Sequence, residues 1–328
     1  MRMSAGNAMT IRLMLLVMTA FAAASHGNAQ PYPVRPIRIV VTSAPGGGSD
    51  FVARLTAQKL TEALGQQVIV ENRPGIAAQA GNEFGMRTTT PDGYSLTIVT
   101  PSYTINPSVR PSKFDPLTAY TPIVLIGKAP TVLLTHPAVG ASDVRELITI
   151  AKSRREPLAY GSSGQGTIIH LTTELFLLMA NVKMLHVPYK GGGQALVDLL
   201  SGQIQVVFSP PQTGMPHARS GKLRALGMTS SERIRSEPDI PTIAESGVTG
   251  FEATNWHALI APRGLPAPVL ARLNEVMRRI IANGEFVKTL QVNGIEPAGG
   301  SPADLHEYVR ADFHKWAKVI KAANVTAE

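Results

Sequence analysis

The chain has 328 residues, enough for two ordinary domains with cores of their own, and it contains no cysteine. A disulfide scaffold, a cysteine nucleophile and a lipid-bearing N-terminal cysteine are therefore excluded. The net charge of +8 mildly favours anionic partners, but the basic residues are scattered and form no stripe interleaved with aromatic side chains, so no nucleic-acid partner is expected.

Residues 1–29 have the pattern of a secretory signal peptide. Arg2 and Arg12 form its charged start, and the apolar run that follows is too short to span a bilayer. Small residues, Gly27 and Ala29, precede the expected cleavage point. The periplasm, reached by secretion, is the expected location, and an uncleaved membrane anchor is the alternative.

The first elements after this segment are a strand, a glycine loop and a helix. Ile37, Ile39, Val40 and Val41 are apolar and β-branched, as in a buried strand, and a proline and three glycines at 45–48 end it. Apolar residues then recur at helical spacing over 52–64, which predicts a helix with Ser49 as its N-cap and Asp50 in its first turn. Backbone N–H groups of such a loop suit an anion, although a tight turn without a ligand is the alternative.

Strand and helix patterns then alternate. Strands are predicted over 67–71 and 94–100, with a helix over 76–88 between them. Connections from one strand through a helix to the next favour parallel pairing, so this alternation indicates a parallel, doubly wound sheet.

A second α/β region is predicted from about residue 122. The strand–glycine loop–helix device returns there at 161–167 and at 190–193. Ligands of open α/β sheets lie beyond the carboxyl ends of the strands, so loops from two lobes would face a ligand across a cleft. Two helices are predicted to close the chain, the last with Ser301 as its N-cap and an apolar stripe ending at Ile320.

Motifs for enzymatic chemistry are missing from the sequence. The segment beginning at Gly161 fails the nucleophile pattern G-x-S-x-G because position 165 is Gln. Neither Ser-x-x-Lys nor His-Glu-x-x-His occurs, and no lysine follows the first glycine loop as in a phosphate-binding loop. His170 and Glu174 have a spacing compatible with a metal, but without further ligands no metal is expected.

Several ordered motifs carry a family likeness. They stand at residues 32–33, 36–37, 44–50, 70–75, 91–94, 105–107, 160–167, 170–171, 186–191, 221–226 and 241–242. Over residues 31–325 the chain resembles the Bug-type extracytoplasmic solute-binding proteins, the receptors of tripartite tricarboxylate transporters. It departs from the family pattern at Gln165, where Asn is more common, and at 209–212, so the ligand's identity stays open.

The resemblance implies an α/β fold of the two-lobed periplasmic binding protein type II (Venus-flytrap) class. Two doubly wound sheets would be joined by two interlobe crossovers, near 127–130 and between about 229 and 252. Lobe 1 would comprise 30–127 and 252–328, and lobe 2 would comprise 128–251.

The resemblance also implies a function. A small carboxylate or an amino acid would bind in the interlobe cleft, and the receptor would deliver it to the membrane permease subunits of a tripartite tricarboxylate-type transporter. A monomer without cofactor or enzymatic activity is expected. Two alternatives stay open: a ligand sensor that docks on a signalling receptor, and a secreted hydrolase on the same scaffold.

The ligand carboxylate is expected to meet backbone N–H groups of the first glycine loop and of the 161–167 loop, with hydroxyl donors around it. Asp50 would either brace its loop or meet a ligand amine, and Tyr189 would either wall the pocket or belong to the core. The expected ligand-binding residues are Ala44, Gly46, Gly47, Gly48, Ser49, Asp50, Ser102, Ser162, Ser163, Gly164, Gln165, Gly166, Thr167, His170, Tyr189 and Phe208.

Overall fold

The computed structural model describes residues 32–75, 78–87 and 89–326, so the predicted signal peptide lies outside the described residues. From Arg35 onward the chain forms one compact unit. The strands are β1 (Ile37–Val41), β2 (Val68–Asn72), β3 (Ser95–Val99), β4 (Tyr120–Pro130), β5 (Val132–Thr135), β6 (Ala159–Ser162), β7 (Leu185–Pro188), β8 (Val206–Ser209), β9 (Arg224–Met228), β10 (Thr254–Pro262) and β11 (Glu296–Gly299).

Ten α-helices lie within the described part of the chain. They are α1 (Gly48–Leu64), α2 (Gln79–Arg87), α3 (Ser102–Val109), α4 (Val144–Ser153), α5 (Ile168–Ala180), α6 (Gly192–Leu200), α7 (Pro211–Arg219), α8 (Ala267–Ile281), α9 (Gly284–Val292) and α10 (Pro302–Ala322). None of the helices within 32–326 combines the length and apolar character that crossing a bilayer requires.

The first sheet has six strands in the order β11-β4-β10-β3-β1-β2. β1 pairs in parallel with β2 and β3, which confirms the parallel pairing predicted for the first three strands. β10 and β4 are antiparallel to their neighbours, and β11 adds an antiparallel edge. The carboxyl ends of β1 and β3 therefore lie side by side, where Val41 pairs with Ile98.

The second sheet has five strands in the order β7-β6-β8-β5-β9. β6 is parallel to β7 and β8, whereas β5 is antiparallel to β8 and β9. Each sheet thus combines parallel strands that lead into glycine loops with antiparallel strands at the points where the chain changes sheet. Two sheets with two crossings are the architecture of the predicted fold class.

The two crossing segments are hydrogen-bonded to each other. The chain leaves the first sheet at Thr131, between β4 and β5, and returns between β9 and β10. The backbone N–H of Thr131 donates to Oγ1 of Thr229 at 2.8 Å, and the N–H of Thr229 donates to the carbonyl of Thr131 at 2.9 Å. Both residues are buried, so these bonds are shielded from competing water.

Helix α10 contributes to two apolar clusters. Leu305 and Val309, in its first half, pack with side chains of the first sheet. Trp316 and Ile320, in its second half, belong to the cluster that covers the second sheet. Between them, buried Asp312 accepts hydrogen bonds from the indole N–H of Trp316 at 2.9 Å and from two other described donors, Thr104 Oγ1 and Trp256 Nε1.

Some predicted elements need correction. Three helices, not two, close the chain: only two residues separate α8 from α9, and the side chain of Asn283 caps α9. The sequence patterns also missed α3 and α7. Both are short, and each contains a proline, Pro107 and Pro216, that lowers helix propensity.

Candidate functional site

The first glycine loop joins β1 to α1 and is exposed at Ala44, Gly46, Gly47 and Gly48. The predicted N-cap, Ser49, is wrong: Gly47 has the extended cap conformation, and Ser49 lies half-buried in the first helical turn. Since glycine has no side chain, no cap hydrogen bond forms here. The first N–H groups of α1 are therefore available to an external acceptor.

Asp50 braces this loop from inside the protein. Its carboxylate accepts hydrogen bonds from Arg54 Nε, from the backbone N–H of Gly46 and from Asn72 Nδ2, each at 2.9 Å. The bond from Arg54 contributes most to lowering the pKa of Asp50 to about 2; those from Gly46 and Asn72 act in the same direction, against the opposing effect of burial. Of the two interpretations left open, these contacts support bracing.

The second glycine loop joins β6 to α5, and its hydroxyl groups bond within the loop. Thr167 caps α5 and donates its hydroxyl to the carbonyl of Gly164 at 2.7 Å. Ser163 donates to Thr167 Oγ1 at 3.1 Å, and the N–H of Gly164 donates to Ser162 Oγ at 3.2 Å. The hydroxyls expected to be ligand donors thus also shape the loop.

Two histidines hold the second loop. The N–H of Gly166 donates to Nδ1 of His170 at 3.1 Å, and Nε2 of His186 lies 2.7 Å from Ser162 Oγ. Burial, and then the neighbouring His186, lower the pKa of His170 to about 4. His170 was expected to bind the ligand but is buried and bonded to the loop. His186 was missed as a site residue, although it opens one of the motifs of the family likeness.

Tyr189 directly follows β7, and Phe208 lies within β8, on the other side of β6 in the second sheet. Tyr189 is half-buried and donates its hydroxyl to Asp198 at 2.7 Å; burial, and then this bond, raise its pKa to about 12. The expectation for Phe208 needs correction, since its side chain is 2% exposed and packs edge-on against Phe176 in the core. The alternation of β8 points this ring inward.

The expected residues form two groups, one at the carboxyl ends of β1 and β3 and one at the ends of β6 and β7. Ser102 belongs to the first group: it begins α3 directly after β3, with its hydroxyl 3.0 Å from that of Thr100. Gln165 belongs to the second group and is exposed. Each group follows parallel strands, as ligand loops of α/β sheets do.

Other features of the described residues are separate from these groups. A cavity of about 580 Å³ is lined by the crossing segments, including the Lys128–Glu252 ion pair at 3.0 Å, and by residues of α9 and β11, but by none of the expected residues. No three His, Cys, Asp or Glu side chains in the described ranges are arranged to hold a metal. Nε2 of His170 lies 3.7 Å from Oε1 of Glu174, but no third such side chain in the described ranges completes a metal site with this pair.

Comparisons with known proteins agree on one family. The family described as "Tripartite tricarboxylate transporter family receptor" matches residues 52–325. Protein BugT of Bordetella pertussis is 33% identical over 297 residues, which cover 90% of this chain and 91% of that protein.

Solved structures of similar proteins include two with bound carboxylates. R. palustris Rpa4515 with adipate is 34% identical, with a TM-score of 0.73 over 90% of this chain and 99% of that chain. MatC (Rpa3494) from Rhodopseudomonas palustris with bound malate is 28% identical, with a TM-score of 0.70 over 88% of this chain and 100% of that one.

Proposed function

We propose a function from one premise: this chain belongs to the family of tripartite tricarboxylate transporter receptors. It is a solute-binding protein and not an enzyme. Its ligand is a small carboxylate, the class to which the adipate of Rpa4515 and the malate of MatC belong. The ligand is held between two lobes, 30–127 with 252–328 and 128–251, and is passed to the permease subunits of a tripartite tricarboxylate-type transporter.

The observation that carries this proposal is the uncapped start of α1. A glycine at the cap leaves the first N–H groups without a side-chain acceptor, on an exposed loop at the end of a parallel strand. An anion stabilises such a helix start, since the helix dipole and the N–H groups both favour negative charge. Asp50 does not compete for these groups because its described bonds are to Gly46, Arg54 and Asn72.

The energies suit a carboxylate without any arginine contact. A hydrogen bond to a charged group contributes about 1.5–3 kcal/mol. Three or four of them approach the roughly 8 kcal/mol of a micromolar site, before the cost of association is subtracted. We further propose that the chain acts as a monomer in the periplasm, exported by residues 1–29.

A thermal-shift screen tests the ligand class. Residues 30–328 would be unfolded and refolded to remove co-purified ligand, then mixed with adipate, malate, tricarboxylates, amino acids and aromatic acids. A ligand at 100 times its dissociation constant should add about 2.7 kcal/mol to the free energy of unfolding. A folded protein that responds to none of these acids contradicts the proposal. For a responsive acid, small-angle scattering should show a smaller radius of gyration with ligand than without.

Gly47→Asp tests the placement of the ligand. Gly47 has an ordinary φ of −81°, and an added Cβ would come no closer than 3.6 Å to its neighbours, so the substitution fits the fold. Aspartate is a favourable N-cap, but its charge would lie where we place the ligand carboxylate. Like charges about 4 Å apart repel by about 4 kcal/mol near a protein surface, roughly a thousandfold in affinity.

Calorimetric titration with the responsive acid measures this loss, and Gly47→Ser is the matched control, because serine also caps the helix but carries no charge. If Gly47→Asp bound the acid as tightly as wild type does, the ligand carboxylate would not lie at this loop.

A further inference from the structure

Three aromatic rings stack beside the second glycine loop. This ring column consists of Tyr160 from β6, His186 from β7 and His170 from α5. The ring centroids of Tyr160 and His186 are 4.8 Å apart, those of His186 and His170 are 4.0 Å apart, and those of Tyr160 and His170 are 6.4 Å apart, so the three centroids form a triangle. The rings are nearly parallel, with interplanar angles of 17°, 11° and 16° for these pairs. Tyr160 and His170 are buried and His186 is half-buried. The column therefore joins the three elements that surround the loop.

Each histidine of the ring column bonds to one end of the loop. The N–H of Gly166 donates to Nδ1 of His170, and Nε2 of His186 pairs with the hydroxyl of Ser162. A backbone N–H can only donate, so Nδ1 of His170 carries no proton in this arrangement. The neutral ring then has its proton on Nε2, which faces Glu174 Oε1 at 3.7 Å.

Burial keeps both histidines of the ring column neutral near pH 7. The titratable groups that face it are Tyr160 from β6, His170 and Glu174 from α5, and His186 from β7. Glu174 would attract a charged His170, but it already accepts the hydroxyl of Tyr160. Burial and His186 lower the pKa of His170 to about 4, and burial also lowers the pKa of His186. Two imidazolium rings in face-to-face contact would repel each other.

We propose that His170 and His186 are positioning residues, and that they hold the second glycine loop in its ligand-binding conformation only while the ring of His170 is neutral. This inference rests on the proposed function. A solvent proton that binds the lone pair of Nδ1 in His170 removes the acceptor of the Gly166 N–H and places two donors against each other. Ligand affinity therefore falls on acidification, and ligand binding in acid solution releases protons from the ring column.

The first test needs no ligand. Protein labelled with ¹⁵N in histidine would be titrated by nuclear magnetic resonance, with signals assigned by the single variants His170→Asn and His186→Gln. We expect His170 to be protonated on Nε2 alone at pH 7.5 and to titrate with a midpoint below about 5. Mixed tautomers, or a midpoint near the ordinary value of about 6.5, would overturn the proposal. This result stands even if no carboxylate binds.

The second test measures adipate affinity at pH 7.5 and 4 by calorimetry in buffers of different ionisation enthalpy. With a pKa of about 4 in the free protein, His170 is protonated in about half of the molecules at pH 4, so binding that requires the neutral ring should weaken about twofold there, beyond the titration of adipate itself. We expect His170→Ala to bind weakly at both pH values. His170→Asn supplies an amide oxygen for the Gly166 N–H, so it should recover part of the affinity and show only the titration of adipate itself.

His314→Gln is the control for the second test, because His314 is exposed on α10 and should give the wild-type pH profile. Equal pH profiles for wild type and His170→Asn would overturn the proposal. Absence of adipate binding in wild type at pH 7.5 would count against the proposed function instead, and the resonance titration would then decide on the ring column.

Discussion

Asp50 is a residue whose contribution to the binding loop can be measured without a ligand. Asp50→Ala removes the acceptor of the Gly46 N–H and of the Asn72 amide, and Asp50 is 4% exposed. A hydrogen bond to a charged group contributes about 1.5–3 kcal/mol, so we expect the free energy of unfolding in urea to fall by about that amount. The ion pair with exposed Arg54 adds little, because solvent screens it.

Glu62→Gln is the matched control for Asp50→Ala, since Glu62 is exposed in a surface ion pair with Lys59.

The pKa of Asp50 in the folded protein, about 2, lies below its ordinary value of 3.8. Its contribution is therefore complete above about pH 4 and is lost as the pH falls toward 2. If Asp50→Ala were as stable as wild type at pH 7, the hydrogen bonds of Asp50 would not contribute to the stability of the folded protein.

His257 is buried on β10 with neither ring nitrogen bonded to a described partner. Burying an unpaired polar group costs about 1–3 kcal/mol, so His257→Leu should raise the free energy of unfolding by about 1 kcal/mol at pH 7.5. Burial lowers the pKa of His257 to about 4, so the unfolded chain binds a proton before the folded protein does. Stability should fall between about pH 6.5 and 4, and His257→Leu should reduce that fall.

Thermal and urea unfolding at pH 7.5 and 5 check this prediction, with the exposed His314→Leu as control. A loss of stability in His257→Leu at pH 7.5 would mean that the imidazole makes contacts that the leucine cannot replace.

At the scale of elements, the start of α5 depends on one hydroxyl. Thr167 Oγ1 accepts from the N–H of His170 and donates to the carbonyl of Gly164. Thr167→Val should therefore lower the free energy of unfolding by about 1 kcal/mol, the usual worth of an N-cap, while Thr167→Ser should keep most of it. Urea unfolding measures both. Unchanged stability with a loss of ligand affinity would show instead that the hydroxyl serves the ligand alone.

Elements with a clear apolar period could be predicted from the sequence. β1, α1 and β3 have such periods, whereas α7 has prolines at 211 and 216 and forms where the chain leaves β8. The strand β11 contains Pro297 and Gly299 and exists only because β4 offers an edge to pair with. Pairing between distant segments leaves no local signal, so such elements cannot be predicted from one sequence.

The candidate site shows the same limit. Gly46, Gly47 and Gly48 could be identified from the sequence, because a run of glycines directly after a strand is typical of a tight loop whose backbone approaches a ligand closely. The orientation of polar side chains could not be predicted, since Thr167 can cap a helix or face a ligand with the same sequence around it. His186 acts from a neighbouring strand, and only the parallel pairing of β6 with β7 brings it to Ser162.

At the scale of the whole molecule, Thr229 joins the two crossing segments. Thr229→Val leaves the buried N–H of Thr131 without its acceptor, while the backbone bond between the two residues can remain. We expect the free energy of unfolding to fall by about 1–3 kcal/mol, and Thr229→Ser to restore most of it. Urea unfolding of both variants is the measurement. Equal stability of Thr229→Val and wild type would show that the segments are held by other contacts.

The position of α10 has a consequence for the order in which the protein is made. The cluster that covers the second sheet includes Leu133 and Leu171, yet it is completed by Trp316, Val319 and Ile320. A ribosome adds residues one after another, so this cluster lacks part of its apolar cover until residues 316–320 have been made. A chain that stops before Trp316 leaves the cluster open to water. The core of the second sheet is thus complete only after a segment made long after the sheet itself has emerged from the ribosome.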